Sequence, residues 1–129
     1  MKTDFLKERA EGFLRDANFA ISEKRWNSAA FYLEQACQLY LKYYIFRKLK
    51  DFPKIHDLDK LLEELEKAYS QNKKEIEKFR KENAIVISAL NQAYITARYL
   101  PVEFTENQVK EMKNFAQSLI KFLRKICQK

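Results

Sequence analysis

The one histidine of this 129-residue chain, His56, is the first candidate for acid–base chemistry. Asp57 follows it directly, and Lys54, Lys50 and Arg47 lie close to it in the sequence. An imidazole can accept and donate a proton near neutral pH, and nearby cations can hold a phosphate group. The alternative is that the imidazole only fixes its loop through a hydrogen bond to the backbone. The sequence leaves both interpretations open.

A second candidate group stands at the end of a long helical segment, where Arg98 is followed by Tyr99. Tyr94 lies one helical turn before Arg98 and on the same face. A guanidinium group can bind a phosphate or a carboxylate, and a tyrosine ring can stack on a base. The alternative is that Arg98 only complements the negative end of the helix dipole.

Lys42 is a further candidate cation, because it stands among several tyrosines in a mostly apolar segment. It can be a functional cation, although such a lysine commonly extends along apolar surface to reach water. The tyrosines themselves are more typical of a core or a dimer surface than of a platform for bases. The predicted nucleotide- or phosphate-binding residues are His56, Arg98, Tyr99, Lys42 and Arg47, and His56 and Arg98 are the candidate catalytic pair.

Most catalytic signatures are missing from the sequence. A single glycine cannot form a glycine-rich phosphate loop, and one histidine cannot build the usual catalytic triad or a His-rich metal site. Cys37 and Cys127 lack metal-like spacing, and both lie on apolar helical faces where a buried, reduced thiol is the default. We therefore expect no metal and no cofactor, and the reduced thiols indicate a cytoplasmic protein.

The chain carries a formal net charge of +7, with an isoelectric point near 9.4. Clustered lysines and arginines attract phosphates, nucleic acid or an acidic protein. The simpler interpretation is a solvated, lysine-rich surface. Charges interrupt the apolar runs at the N-terminus, and no run approaches the ~20 apolar residues of a membrane span. We expect neither a signal peptide nor a membrane anchor.

Apolar residues recur at intervals of three and four, which predicts helices along the whole chain. One glycine and two prolines leave few helix breakers, and the length suits one domain, residues 1–129. Short connections favour an all-α, antiparallel up-and-down bundle of four long helices and one short helix. The predicted helices run from Thr3 to Glu23, from Trp26 to Lys48, from Leu58 to Ser70, from Lys73 to Tyr99, and from Thr105 through Cys127.

Three helix starts carry capping signals in the sequence. Asp57 is expected to cap the helix that begins at Leu58. Thr105 and Gln108 match a capping box for the last helix. Asn27 or Ser28 is expected to cap the second helix.

The segment from Trp26 to Lys48 is apolar over more than one face, because several aromatic residues fall outside its main apolar stripe. Such a helix needs cover on two sides. Neighbouring helices or a second copy of the chain can supply that cover, and the sequence does not choose between them. The aromatic residues outside the stripe are Phe31, Tyr32, Tyr43 and Phe46.

Over nearly its whole length the chain resembles small, stand-alone members of the HEPN family, the higher eukaryotes and prokaryotes nucleotide-binding domain. Two elements carry the resemblance. One is the His-Asp-Leu-x3-Leu element at residues 56–62, and the other is the Ala-Arg-Tyr element at residues 97–99 with Pro101 after it. The alanine-rich second helix, which contains Lys42, supports the resemblance.

The resemblance implies a helical bundle that forms a homodimer and acts with a minimal nucleotidyltransferase as a two-component complex or toxin–antitoxin pair. Many relatives are metal-independent RNases in which four to six residues separate an arginine from a histidine that follows it. Here Arg47 precedes His56 by nine positions, and no histidine follows Arg80 or Arg98. We therefore expect a nucleotide- or RNA-binding module. The alternative is an RNase toxin that uses His56 with Arg98 or Arg47.

Overall fold

The computed structural model describes residues 4–127, which form six α-helices and one short 3₁₀-helix. No strand occurs within this range, so the predicted all-α class is confirmed. The predicted helix start at Thr3 lies outside the described residues. The helices are α1 Asp4–Ser22, α2 Trp26–Leu49, α3 Leu58–Ala68, α4 Lys73–Glu82, α5 Ala84–Tyr99 and α6 Glu106–Ile126, with the 3₁₀-helix at Ser70–Asn72.

Helix α2 lies at the centre of the bundle and packs against α1, α3, α5 and α6. Its predicted apolar stripe is buried from Ala29 to Ile45, and Tyr43, outside the stripe, is buried as well. Phe31 and Phe46 are half-buried. Helices of the same chain thus supply the cover that α2 needs. A second copy of the chain is not required for that purpose, so a homodimer gains no support from α2.

The prediction of one continuous helix from Lys73 to Tyr99 is wrong, because the chain leaves helical geometry at Asn83. The side-chain amide of Asn83 donates a hydrogen bond of 2.8 Å to the carbonyl of Phe79. An asparagine that bonds the preceding turn in this way competes with the regular helical ladder. The bundle therefore has two short helices, α3 and α4, where one was expected.

The break at Asn83 leaves Ile85 in the first turn of α5, where its side chain is 87% exposed, although the apolar repeat from Lys73 to Tyr99 predicts it in the core. Leu90 and Ala93 are buried, as that repeat predicts, and Ile87 is buried as well.

Two of the three predicted helix caps are confirmed. The carboxylate of Asp57 accepts a hydrogen bond of 3.0 Å from the backbone N–H of Lys60, at the start of α3. Thr105 and Gln108 form a capping box at the start of α6, with reciprocal bonds of 3.1 and 2.8 Å. Both caps satisfy N–H groups that a helix start leaves unpaired.

The third prediction, a cap at Asn27 or Ser28, is wrong because α2 already begins at Trp26. Asn27 instead holds the connection between α5 and α6. Its side chain donates to the carbonyl of Val102 and accepts from the N–H of Phe104, both at 2.7 Å. This amide therefore fixes the segment that follows Arg98.

Helix α4 is tied to α3 by the guanidinium of Arg80. It donates two hydrogen bonds of 3.0 and 2.9 Å to Asp59, one of 3.0 Å to Glu63 and one of 2.7 Å to Glu66. Glu66 is buried, and an arginine fork is the cation best suited to a paired carboxylate there. These contacts fix α3, whose first turn follows His56.

Most of the remaining interior is apolar, and its polar atoms are hydrogen-bonded. Every buried side-chain nitrogen and oxygen within residues 4–127 has a hydrogen-bond partner. Cys37 and Cys127 are buried free thiols, as expected. Within the same range, no helix has the length and apolar character needed to cross a bilayer.

Candidate functional site

His56 lies against α5, where its imidazole stacks on the ring of Tyr94. The ring centroids are 4.2 Å apart and the two planes differ by 5°. The imidazole is exposed and hydrogen-bonds no described residue, so the alternative of a backbone hydrogen bond that fixes the loop is not observed. Both ring nitrogens of His56 therefore remain available to a ligand.

Asn91 anchors the end of the loop that carries His56. Its side-chain oxygen accepts a hydrogen bond of 2.8 Å from the N–H of Leu58, and its amide donates to the carboxylate of Asp57 at 3.4 Å. Asn91 lies one helical turn before Tyr94 on α5. The same face of α5 thus fixes the loop and provides the ring on which His56 stacks.

Arg98 folds back over the last turn of α5. Its Nε and Nη2 atoms donate hydrogen bonds of 3.1 and 2.6 Å to the carbonyl of Tyr94, and its Nη1 atom donates to the hydroxyl of Tyr99 at 3.2 Å. The guanidinium therefore lies at the C-terminal end of α5, where its positive charge complements the helix dipole, which is one of the two alternatives that the sequence left open. The side chain nevertheless remains exposed.

Tyr94 connects the two predicted candidate residues. The guanidinium carbon of Arg98 lies 5.1 Å from the centre of the Tyr94 ring, and this is the ring on which His56 stacks. His56 and Arg98 come from a loop and from a helix end far apart in the sequence. Tertiary packing brings both of them into contact with one side chain.

Two more aromatic rings surround the guanidinium of Arg98. Its carbon lies 4.6 Å from the ring centre of Phe31 on α2 and 4.7 Å from that of Tyr99. Tyr99 is 68% exposed. Rings in contact with a cation hold its position, and an exposed tyrosine ring is available to stack on a base.

A row of polar side chains lies on α2, and two of its members, Glu34 and Gln38, were not singled out from the sequence. Glu34 accepts hydrogen bonds from the amides of Gln35 and Gln38 at 2.8 and 2.7 Å, and Lys42 donates to Gln38 at 3.2 Å. Glu34 has no exposed surface. The spacing of Glu34, Gln38 and Lys42 at every fourth position was the available signal, since it places them on one stripe of an otherwise apolar helix.

Burial raises the pKa of Glu34 from 4.5 to about 7. The hydrogen bonds from Gln38 and Gln35 and the charges of Lys42 and Arg98 act in the opposite direction, but they do not offset the loss of hydration. Because Arg98 contributes to this balance, the buried carboxyl group and the exposed guanidinium are electrostatically linked. The protonation of Glu34 is therefore sensitive to pH near neutrality.

Lys42 is half-buried and points into this polar row rather than standing free at the surface. Burial lowers its pKa, while the charge of Glu34 raises it. Its ammonium nitrogen lies 5.8 Å from the ring centre of Phe52, which belongs to the loop that leads to His56. Lys42 therefore contacts the loop through the ring of Phe52.

Arg47 lies apart from this group. It lines a cavity with Lys48, Tyr69 and Lys125 that contains neither His56 nor Arg98. The predicted set of five residues therefore divides into a surface with His56, Arg98 and Tyr99, a half-buried Lys42, and a separate Arg47.

The candidate surface consists of His56, Tyr94, Arg98 and Tyr99. It combines an imidazole that makes no hydrogen bond to a described residue, a guanidinium and two aromatic rings. A cation and an imidazole can contact a phosphate group, and the exposed ring can stack on a base. Among residues 4–127, no three His, Cys, Asp or Glu side chains are arranged to hold a metal ion. The groups present suit an anionic, aromatic ligand.

Comparison with known protein families gives one match. The model of the HEPN domain family matches residues 3–126, nearly the whole chain. No curated protein and no solved structure is similar enough to be matched. The matched region includes every helix described above and every residue of the candidate surface. The chain belongs to the HEPN domain family.

Proposed function

We propose that this protein is a nucleotide- or RNA-binding helical module of one domain that contacts phosphate and base through His56, Tyr94, Arg98 and Tyr99. It acts in the cytoplasm as a homodimer, together with a minimal nucleotidyltransferase, in a pair of the toxin–antitoxin type. The observation that carries the binding proposal is the contact of both His56 and Arg98 with the ring of Tyr94.

The hydrogen bonds of Arg98 favour binding over catalysis. Two of its nitrogens are directed to the carbonyl of Tyr94, so a phosphate reaches mainly the Nη1 side, where the present partner is the exposed hydroxyl of Tyr99. A ligand phosphate can replace that hydroxyl without breaking the helix cap. The guanidinium then acts as a positioned anchor for the phosphate.

Exposed apolar residues near the end of α5 support the homodimer. Ile95 is 51% exposed, and Tyr99, one turn later, shares its face. Leu100 and Val102 follow and are about half exposed as well. A cluster of this kind at the edge of a candidate site is typical of a protein interface. A second copy placed there would bring two candidate surfaces close together.

The partner and the location are supported by more general features. A net charge of +7 favours an acidic partner or a nucleic acid. The nucleotidyltransferase itself is suggested by the family resemblance. The two cysteines, Cys37 and Cys127, are buried and form no disulfide, which is typical of a protein in a reducing compartment.

Fluorescence anisotropy with a labelled single-stranded RNA of about 12 nucleotides tests the binding proposal. We expect Arg98→Ala and His56→Ala to weaken binding by about 10-fold, because each removes a charge-assisted or polar contact with the ligand. Arg15→Ala is the matched control, since Arg15 is an exposed arginine on α1. Equal weakening by Arg15→Ala and Arg98→Ala would indicate only a general effect of charge and would refute the proposed surface.

A metal-independent RNase is the second candidate function. It is favoured by the exposed imidazole of His56, which makes no hydrogen bond to a described residue and contacts the same tyrosine ring as Arg98. His56 would take the proton of the 2′-hydroxyl, whose oxygen attacks the adjacent phosphorus. The 5′-oxygen would leave with a proton from water and Arg98 would hold the phosphate. Cleavage of RNA in the presence of EDTA, lost in His56→Ala, would establish this function in place of simple binding.

A further inference from the structure

A basic cavity of about 520 Å³ lies at the end of the bundle where α2, α3 and α6 end. Its walls come from the last turn of α2, the end of α3, the 3₁₀-helix and the last turn of α6. It is separate from the surface around His56 and Tyr94, none of whose residues lines it. The lining residues with polar or charged side chains that carry the argument are Arg47, Lys48, Tyr69, Gln71, Asn72 and Lys125.

The charge of this cavity has one sign. Arg47, Lys48 and Lys125 line it, and no aspartate or glutamate is among the lining residues. None of these three cations forms an ion pair with a carboxylate in residues 4–127. Cations that converge on a concave site without counter-charges raise the local concentration of anions.

Two of the cations are held in place by aromatic rings. The guanidinium carbon of Arg47 lies 5.7 and 5.5 Å from the ring centres of Tyr43 and Tyr44. The ammonium nitrogen of Lys48 lies 5.4 Å from the ring centre of Tyr69. The hydroxyl of Tyr69 in turn donates a hydrogen bond of 2.7 Å to the carbonyl of Tyr44. Pre-positioned cations lose less freedom when they bind a ligand.

The thiol of Cys127 also lines the cavity, and the positive charges of Arg47 and Lys48 lower its pKa. Burial raises the pKa of Cys127 to about 11, while a hydrogen bond with Tyr69 and the charges of Arg47 and Lys48 lower it. The positive electrostatic potential of Arg47 and Lys48 therefore extends into the cavity as far as the thiol of Cys127. The geometry and the field favour a ligand with several negative charges.

We propose that this cavity is a second anion site, which binds the phosphate chain of a nucleoside triphosphate or of free polyphosphate. Arg47, Lys48 and Lys125 contact the phosphates, and the side chain of Gln71 can hydrogen-bond to the rest of the ligand, whereas the amide of Asn72 donates a hydrogen bond of 2.6 Å to Glu75. The volume lies within the range of roughly 300–1,000 Å³ that is usual for small-molecule sites. This site does not depend on RNA binding at the surface around His56.

Isothermal titration calorimetry with ATP and with tripolyphosphate, each added to the full chain, tests the proposal. We expect both anions to bind, and we expect Arg47→Ala and Lys125→Glu to weaken each of them by about 10-fold or more. Lys60→Ala is the control for the loss of one positive charge, since Lys60 is exposed and lines no part of the cavity. This control should not change the affinity for either anion.

The variant Lys125→Glu should fold normally, because Lys125 is exposed and makes no hydrogen bond or ion pair within residues 4–127. A loss of binding in this variant can therefore be attributed to the cavity. Similar affinities for ATP and tripolyphosphate would show that the phosphate chain is recognised, whereas tighter binding of ATP would add a contribution from the nucleoside. Absence of binding by both anions would overturn the inference. Binding that is lost in Arg98→Ala but kept in Lys125→Glu would also overturn it, and would instead support the surface around His56.

Discussion

The imidazole of His56 lies flat on the phenol ring of Tyr94, with 4.2 Å between the ring centres and 5° between the planes. The same tyrosine ring contacts the guanidinium of Arg98. One side chain of α5 thus contacts both a group that can carry a proton and a group that carries a permanent positive charge. The ring of Tyr94 therefore links His56 and Arg98, which lie 42 positions apart in the sequence.

Replacing Tyr94 by leucine should separate His56 from its platform, whereas replacing it by phenylalanine should not. The stacked ring places the imidazole protons in the shielding region of the tyrosine. We expect the His56 imidazole signals in a proton NMR spectrum to move downfield in Tyr94→Leu and to stay near their original position in Tyr94→Phe. Unchanged signals in Tyr94→Leu would mean that the two rings do not stack in solution.

Removing the side chain of Asn91 should destabilise the protein, because the N–H of Leu58 and the carboxylate of Asp57 would each lose a partner. We expect Asn91→Ala to lower the free energy of unfolding by about 1–2 kcal/mol, measured by urea unfolding. Asn107→Ala is the control, since Asn107 is exposed on α6. An equal, small effect of both substitutions would contradict the anchoring role of Asn91.

Most helices could be predicted from the sequence, because apolar residues at intervals of three and four mark a buried face whatever lies opposite it. The break at Asn83 could not, since it depends on a side-chain bond to the carbonyl of Phe79 that no periodicity reports. The only sign of it was that Phe79 and Ile85 lie six positions apart in the apolar pattern, which is longer than the usual interval of three or four.

The candidate site was predictable in composition but not in arrangement. His56 and Arg98 stand out by residue type, yet only the packing of a loop on α5 brings both to Tyr94. Arg47 is closer to His56 in the sequence but lines a separate cavity, since it lies in the last turn of α2. Glu34 was missed because a carboxylate flanked by polar and apolar residues gives no signal of complete burial.

The buried carboxyl group of Glu34 should make the stability depend on pH. Its pKa is 4.5 in an ordinary setting and about 7 in the folded protein, so the folded state binds an extra proton between these values. The free energy of unfolding contributed by Glu34 therefore falls as the pH rises through this window, by roughly 3 kcal/mol at most. Glu34→Gln should abolish this fall in urea unfolding curves recorded at several pH values.

Glu111→Gln is the control for the pH series, because Glu111 is exposed on α6. This substitution should leave the fall in the free energy of unfolding unchanged. An equal fall in the free energy of unfolding in wild type and in Glu34→Gln would contradict the raised pKa of Glu34. The difference between wild type and Glu34→Gln isolates the contribution of this one carboxyl group.

The homodimer proposal predicts a difference between the two ends of α5. Ile95 and Ile85 are both exposed isoleucines on this helix, but only Ile95 is near the apolar cluster that includes Tyr99. We expect Ile95→Glu to convert a dimer to a monomer in sedimentation velocity at micromolar concentration, because the new charge would be buried in the interface. Ile85→Glu should leave the dimer intact. A wild-type monomer at that concentration would contradict the proposal.

The most direct test of the proposed binding surface is an NMR titration of labelled protein with a short single-stranded RNA. The account predicts saturable shifts of the His56 imidazole and the Tyr94 and Tyr99 rings, and it predicts that Arg98→Ala loses them while Arg15→Ala keeps them. Binding of the RNA with shifts confined to other parts of the protein, or no binding at all, would contradict it.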